Sequence, residues 1–358
     1  MDKIKASSFA DLAYYSRFKP PSRLVTFAAP ASTLTNFPAL VKSNSTFNIG
    51  TVTGYDVHFQ DLSGNELAYE LDYYDSVTGN GAWWVKIPSL PSTGTTSIKM
   101  LYGNSSASTD GSTPLTVWSD YAAVYHFNEL DDSYQTNRAT GAQSTSTFIK
   151  SGTVSFQSCT EGTGRVLRFT TKGTDTDKTN AIITSGVSLA TEEYSTLGLW
   201  NKLAQDNIGS YGRIFWVFVP DTSDPSLDNS NPHQMAYQRN PGSLTTTLGT
   251  YPQRVYSQLT GMNTSYQMVL TGTSYKQSNF RYAQANAQIT SGNADTATSK
   301  LWSSYSTFLS MVEGWSGEKT TEWDEIRLCK SSHSQDWMAY EFSMYCDHSN
   351  CVTYGPEA

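Results

Sequence analysis

The chain has few charged residues and no basic segment. Charged side chains make up 16% of its 358 residues, and the formal net charge at pH 7 is −8. A nucleic-acid backbone or an anionic membrane surface is bound where lysines and arginines cluster, because binding there releases counterions. We therefore expect neither as a partner.

Long apolar runs are absent as well. No stretch approaches the ~18 apolar residues of a transmembrane helix, and residues 1–12 lack the apolar core of a signal peptide. Ser, Thr, Asn, Gly and 22 Tyr are abundant instead, which is typical of β-rich proteins that work outside a cell. We expect an extracellular location or a virion surface, the latter reached without a signal peptide.

Cysteine is scarce, with four residues in the chain. No CxxC pair or Cys/His spacing indicates a zinc site. Cys346 and Cys351 lie close together near the C-terminus. Two alternatives follow for them: a small disulfide loop, or free and partly buried thiols.

Strand signals recur at short spacing between clusters of Gly, Pro, Asn and Ser. Every second position from 67 to 73 is Leu or Tyr, the period of a half-buried strand. Other segments are predicted as strands at 23–27, 37–41, 57–60, 83–87, 98–102, 266–270 and 323–328, and the nearly all-apolar segment 213–219 suits a strand buried on both faces.

One helix is predicted after the last strand. Ser332 can cap it while Gln335 reaches back, which makes a capping box. Four residues at helical spacing then form a mostly apolar face that packs on a sheet: Trp337, Tyr340, Glu341 and Met344.

Five motifs in the N-terminal third carry a family resemblance. They are Asn-Phe-Pro-Ala-Leu-Val (36–41), Val-His-Phe-Gln-Asp (57–61), Leu-Ala-Tyr-Glu (67–70), Trp-Val-Lys-Ile-Pro (84–88) and Leu-Tyr-Gly-Asn (101–104). In this order they resemble the domain of unknown function 2341, a small β-domain, over residues 17–108. One departure is Leu101, where that family has Tyr. In bacterial proteins the domain commonly precedes a laminin-G-like jelly roll.

The remainder of the chain resembles concanavalin A-like jelly rolls of the laminin-G type. Tyr-His-Phe-Asn-Glu (125–129) is similar to their first strand, and Gly-Arg-Val-Leu-Arg-Phe (164–169) to a later one. Trp-Asp-Glu-Ile-Arg (323–327) is similar to the strand that precedes their C-terminal helix. The resemblance implies a fold that hosts lectins, enzymes and structural modules alike.

We therefore predict an all-β protein of two tandem antiparallel β-sandwich domains, the second a concanavalin A-like jelly roll that ends in one short helix. The predicted segments are an extension at 1–16, a small sandwich at 17–108, a linker at 109–119 and the jelly roll at 120–358. The extension has two interpretations: a short amphipathic helix that docks onto a larger assembly, or a frayed terminus.

The jelly-roll resemblance brings one catalytic hypothesis, because this fold includes glucanases. Those enzymes carry an E-x-D-x-x-E strand that supplies nucleophile and general acid. Glu322 and Asp324 fit its start, but Arg327 stands where the last Glu belongs. Glu325 and Arg327 are two apart, so on a strand they can pair. With no G-x-S-x-G elbow and no His at triad spacing, we predict that the chain is not an enzyme.

Calcium is the one cofactor that the residues suggest. Asp221, Asp224 and Asp228 offer hard oxygens in a single loop, and Asp131 with Asp132 forms another cluster. Calcium takes 6–8 such ligands. Ordinary turns, which would hold no ion, require the same residue types.

Two regions depart from the family pattern, 220–252 and 283–299, and we expect long loops there that carry the specificity of this protein. Sugar rings stack on exposed aromatic faces while amides and guanidinium groups bind their hydroxyls. The candidate ligand-binding residues are Tyr237, Arg239, Asn240, Tyr282 and Trp315.

These features predict a non-enzymatic surface protein that recognises glycans or other surface proteins. We expect it to belong to a larger assembly, such as the decoration or fibre of a phage or virus particle. The alternatives are a purely structural assembly subunit without a ligand, and a glycoside hydrolase of the concanavalin A-like fold.

Overall fold

A computed structural model describes a large part of the chain as two compact units. The described residues are 20–44, 49, 53–129, 134–149, 153–158, 164–170, 179–188, 194–206, 212–219, 234–239, 245–248, 255–258, 267–274, 277–283, 289–294, 306–314, 319–330 and 333–358, with the backbone alone between 169 and 323. The first unit comprises Met1–Ser119, Thr160–Gly164 and Ala339–Ala358, and the second Asp120–Cys159 and Arg165–Met338. Both are built from antiparallel sheets, so the predicted all-β class is confirmed.

The N-terminal part of the first unit supplies six strands. They are β1 (Ser22–Ala28), β2 (Leu34–Ser43), β3 (His58–Gln60), β4 (Tyr69–Asp75), β5 (Asn80–Leu90) and β6 (Thr95–Leu101). One sheet has the order β2-β5-β4, and β1, β6 and β3 are neighbours in the other. The ring of Phe59 on β3 lies 5.4 Å from Tyr69 and 6.5 Å from Trp83 of the opposite sheet. Aromatic packing between two sheets makes this unit a β-sandwich.

The predicted linker contributes to the core of the first unit. A short helix, α1 (Pro114–Val117), is followed by Trp118, which is fully buried. The indole N–H of Trp118 donates to the Glu70 carboxylate, and its ring lies 5.7 Å from that of Trp84. The Ser- and Thr-rich composition predicted a linker here, but the side chain of Trp118 is buried in the first unit.

Sixteen strands, β7 to β22, belong to the second unit. They are β7 (Tyr121–Tyr125), β8 (Tyr134–Thr136), β9 (Gln143–Ile149), β10 (Thr153–Ser158), β11 (Arg165–Thr170), β12 (Thr179–Ser188), β13 (Tyr194–Asp206), β14 (Gly212–Val219), β15 (Gln234–Arg239), β16 (Thr245–Leu248), β17 (Val255–Gln258), β18 (Gln267–Ser274), β19 (Gln277–Ala283), β20 (Ile289–Ala294), β21 (Ser306–Gly314) and β22 (Lys319–Cys329). An eight-stranded sheet has the order β10-β11-β22-β13-β18-β19-β20, with β7 also beside β22. A six-stranded sheet has the order β15-β14-β21-β12-β9-β8, and β16 pairs with β17.

Two regions that we expected to be long loops contain strands. β15 and β16 lie within 220–252, and β20 lies within 283–299. The sequence of β15, Gln-Met-Ala-Tyr-Gln-Arg, has none of the β-branched residues that mark strands by propensity. Its pairing with β14 supplies the context instead.

The C-terminal residues form two helices and a strand: α2 (Gln335–Cys346), α3 (His348–Cys351) and β23 (Val352–Tyr354). Ser334 caps α2, because its hydroxyl accepts a hydrogen bond from the Trp337 N–H at 3.2 Å. The helix thus begins later than the predicted Ser332 cap requires. No helix in the described part of the chain is long and apolar enough to cross a membrane.

Residues 339–358 cluster with the first unit, although the sequence analysis assigned them to the second domain. β23 pairs antiparallel with β1, which gives the sheet the order β23-β1-β6-β3. The spacing of apolar residues predicted a helix here, and α2 is that helix. The spacing alone does not show which sheet the helix covers. The boundary between the two units falls within α2.

Candidate functional site

Several buried polar side chains of the described part of the second unit lie where β7 pairs with β22. Ile326 and Arg327 of β22 lie opposite Tyr125 and Val124 of β7. On its other side β22 pairs with β13, and the register shifts between Asp324 and Arg327, which marks a β-bulge. The bulge residue Glu325 has a φ of 52°. A left-handed backbone at a non-glycine residue costs about 1–3 kcal/mol and persists only where its surroundings hold it.

Three ionisable side chains meet at this bulge. Nδ1 of His126 lies 2.9 Å from both carboxylate oxygens of Glu325, and Nη2 of Arg327 donates to Oε2 of Glu325 at 2.5 Å. All three residues are at most 3% exposed. The predicted pairing of Glu325 with Arg327 is confirmed, while His126 comes from a strand end 199 residues away.

The charges around Glu325 determine its protonation. Burial opposes ionisation of this carboxyl, but the nearby His126 and the Arg327 guanidinium outweigh burial and lower its pKa. Glu325 is therefore a carboxylate at neutral pH. A glycosidase general acid needs the opposite, a raised pKa that keeps the proton available.

Asp324 is also withdrawn from solvent. Its side chain is fully buried, and its Oδ1 accepts a hydrogen bond from the backbone N–H of Glu325 at 2.8 Å. Retaining glycosidases require two carboxylates that face a substrate cleft about 5–5.5 Å apart. The two acids here hold the bulge, and neither is presented to a substrate.

Residues 126–129, in the motif that resembles the first jelly-roll strand, form a network of hydrogen bonds. His126 binds Glu325, and the Asn128 side chain accepts a hydrogen bond from the Arg165 backbone N–H at 2.7 Å. Glu129 accepts from Thr136 N–H at 2.9 Å and from Arg138 at 3.2 Å, and its carbonyl accepts from the Arg165 guanidinium. These polar groups bind within the unit, which indicates a role in folding for the motif.

A thiol and an imidazole meet at the end of β22. Sγ of Cys329 lies 3.1 Å from Nε2 of His333 and 3.3 Å from the Asp120 carbonyl oxygen. The His333 ring stacks on Trp337 at 4.2 Å. Burial, with the charge of Arg327, lowers the pKa of His333 to about 3. An imidazole with so low a pKa is a weak base and is poorly suited to take the proton of the Cys329 thiol.

The predicted ligand-binding residues fall on different parts of the second unit. Tyr237 and Arg239 lie in β15, an edge strand of the six-stranded sheet, and Tyr282 lies in β19 of the eight-stranded sheet. The first two are thus on a strand, where a loop was predicted. Asn240 and Trp315 lie outside the described residues. A shared binding surface for the five residues stays a prediction.

The calcium candidates also lie outside the described residues: Asp221, Asp224, Asp228, Asp131 and Asp132. Of the two alternatives for Cys346 and Cys351, a disulfide loop or free thiols, Cys351 corresponds to the second, since it is a buried free thiol. Burial, together with the charge of Asp347, raises the pKa of the Cys351 thiol to about 11. The thiol therefore stays protonated and serves as a small apolar group.

Sequence reasoning missed His126 and the Cys329–His333 pair. His126 was interpreted only as a structural histidine, because no spacing relates it to Glu325. The four-residue separation of Cys329 and His333 spans a strand end and the approach to a helix, where no periodicity applies. The one available signal for His126 was its position in the motif that resembles the first jelly-roll strand.

Comparisons with known proteins give one family match and several structural similarities. A profile of the family described as "Domain of unknown function (DUF2341)" matches residues 53–141. This supports the resemblance of the N-terminal domain, although the match begins and ends later than the predicted 17–108. No curated protein matches the sequence.

Three similar solved structures are receptor-binding domains of botulinum neurotoxins. The binding domain of neurotoxin DC "in complex with SialylT" has a TM-score of 0.46 at 11% identity, over 65% of this chain and 52% of that one. The same domain in complex with rat synaptotagmin II has a TM-score of 0.45 at 10% identity, over 63% of this chain and 52% of that one. The serotype C1 binding domain has a TM-score of 0.43 at 9% identity, over the same shares of the two chains. The chain thus spans about half the length of each, and at these TM-scores we draw nothing on function from them.

Proposed function

We propose that this chain is a non-enzymatic recognition protein that binds glycans through its second unit. One observation carries the non-enzymatic part. The acids Asp324 and Glu325, on the strand that resembles a glucanase motif, are buried, and Glu325 is held ionised by Arg327 and His126. Without an exposed acid of raised pKa, this strand lacks the general acid that glycoside hydrolysis needs.

The proposal that the chain binds glycans rests on the types of residue found elsewhere in the second unit. Tyr237 and Arg239 lie on an edge strand, and edge strands are accessible from one side of a sheet. Tyrosine and tryptophan present flat faces to sugar rings, and arginine and asparagine bind hydroxyls at fixed geometry. We place the ligand at Tyr237, Arg239, Asn240, Tyr282 and Trp315, and we propose an extracellular or particle-surface setting within a larger assembly.

A glycan array with the full chain tests the proposal. We expect binding to a restricted set of glycans, and loss of roughly tenfold or more in affinity for Tyr237→Ala or Trp315→Ala, as for a stacking residue. Tyr55→Ala, in a loop of the first unit, is the matched control and should bind as the parent does. An array without any binding would favour the purely structural subunit.

An assay for reducing ends separates binding from catalysis. Polysaccharides that bind the chain should remain uncleaved over long incubation. Release of reducing ends that Asp324→Asn abolishes would contradict the proposal and favour the glycoside hydrolase. Circular dichroism of that variant must match the parent, because Asp324 is buried at the bulge.

A further inference from the structure

The last twenty residues of the chain bind the first unit along two of its strands. We name residues 339–358 the closing segment. Its strand β23 extends the sheet beside β1, with Val25 opposite Tyr354 and Phe27 opposite Val352. Its helical part contacts β2, where the ring of Tyr340 lies 5.4 Å from that of Phe37 in an edge-to-face arrangement.

The closing segment satisfies the hydrogen-bond donors of β2. Among the described strands, β2 lies at the edge of its sheet, where backbone N–H groups pair with no further strand. Sδ of Met344 accepts from the Leu40 N–H at 2.9 Å, and the hydroxyl of Tyr354 accepts from the Lys42 N–H at 2.8 Å. Side chains thus replace a strand that is missing at this edge.

The burial of β2 shows how completely this edge is covered. Five consecutive residues, from Phe37 to Val41, are buried. Side chains of a strand alternate between its two faces, so a run of this kind requires cover on both. The opposite sheet covers one face, and on the other face Nζ of Lys42 lies 5.5 Å from the centroid of the Tyr345 ring in the closing segment. The bonds from the Leu40 and Lys42 N–H groups lie along the strand edge.

Further bonds hold residues 355–358 beside the first residues of β1 and the end of β6. Ser22 and Ala358 exchange two backbone hydrogen bonds, of 3.3 and 3.0 Å. The Tyr102 hydroxyl donates to Glu357 at 2.7 Å, and Arg23 donates to the Gly355 carbonyl at 3.0 Å. These contacts involve particular side chains and a fixed strand register. Cys351, the cysteine of the segment whose side chain is described, is a free thiol.

The geometry points to a peptide-binding groove on the first unit, formed by β1 and the outer edge of β2, whose ligand is the closing segment of the same chain. The groove holds the segment by strand addition and by acceptor side chains aimed at backbone donors. It therefore retains the segment after the chain is cut ahead of α2, and it accepts the same peptide from solution.

Cleavage of the full chain tests the groove. A protease recognition sequence inserted after Lys330, which is exposed, allows the folded protein to be cut in its native state. We expect the released C-terminal fragment to co-elute with the remainder in gel filtration. A labelled peptide of residues 339–358 should exchange into the cut protein, while a scrambled peptide should not. Separation of the fragment under native conditions would overturn the proposal.

Contacts of the fragment with the second unit need a control of their own. Trp337 precedes the closing segment and stacks on His333. Trp337→Ala should leave the fragment bound if the groove holds it. Release by this variant, together with failure of the 339–358 peptide to bind, would assign the retention to the second unit and refute the groove.

Hydrogen exchange of two amides gives a second, residue-specific measurement on the uncut protein. Tyr354→Phe removes the acceptor of the Lys42 N–H, and Met344→Leu removes that of the Leu40 N–H at nearly unchanged volume. Each variant should speed exchange of its own amide by roughly tenfold, the effect of losing one net hydrogen bond, and leave the other amide protected. Unchanged protection of both amides would contradict the proposed recognition.

Discussion

The two units bury carboxylates in different ways. In the first unit, Asp72 accepts from the Trp84 indole N–H at 3.2 Å, and Glu70 accepts from Trp118. In the second, Glu325 is bound by Arg327 and by the titratable His126. Indole donors are neutral and cannot lose a proton, whereas the second arrangement balances opposite charges. A buried charge pair depends on each partner, because removing one leaves the other uncompensated.

Removing Arg327 should give the largest effect. Arg327→Met keeps most of the side-chain volume but leaves the Glu325 carboxylate without its guanidinium partner. We expect the second unit to lose about 3–5 kcal/mol in free energy of unfolding, measured by denaturant titration. Glu357→Gln, at a residue whose side chain is 53% exposed, is the control and should change stability by less than about 1 kcal/mol. A loss for Arg327→Met as small as the control's would remove the contrast between the units.

Acid should weaken the first unit through His348. Burial, with the charge of Lys42, lowers the pKa of this imidazole to about 4 from its ordinary 6.5. Between pH 6.5 and 4 the unfolded chain therefore binds more protons than the folded one, so stability falls as the pH is lowered through that window. The shift corresponds to at most about 3 kcal/mol.

His348→Gln separates this contribution from others. The variant should flatten the dependence of first-unit stability on pH between 6.5 and 4, as followed by chemical denaturation at several pH values. In the second unit His333 acts in the same direction down to about pH 3. The lowered pKa of Glu325 also makes the second unit less stable in acid. Its contribution to the free energy of unfolding is fully present above the ordinary carboxyl pKa of 4.5 and is lost as the pH falls below that value. An unchanged slope in His348→Gln would show that the imidazole is not held neutral.

The third prediction concerns the indole N–H of Trp118. Trp118→Phe removes the N–H that binds Glu70 while an aromatic ring remains. We expect a loss of about 1.5–3 kcal/mol from the hydrogen bond to a charged acceptor, beyond the loss from reduced packing. Trp83→Phe is the matched control, because Nε1 of Trp83 has no hydrogen-bond partner among the described residues. Equal losses would mean that the carboxylates of the first unit do not depend on their indole donors.

Each segment that we predicted as a strand contains a strand in the structure, but several strands of the second unit, such as β12 and β21, were not predicted. The Glu325–Arg327 pair was also predictable, because two-residue spacing on a strand is a local relation. His126, Trp118 and the closing segment were not. Each finds its partner at long sequence separation, and nothing in a helix pattern such as that of α2 encodes the identity of the sheet it covers.

The pairing of β1 with β23 has a consequence for synthesis. β1 ends at Ala28, and its partner strand begins at Val352. At the roughly 5–20 residues per second of a ribosome, the first strand leaves the exit tunnel about 15–65 s before the last one is made. During that interval the nascent chain exposes an open sheet edge, so a product truncated before β23 would present this edge to chaperones and proteases, and only a chain that includes β23 can hide it.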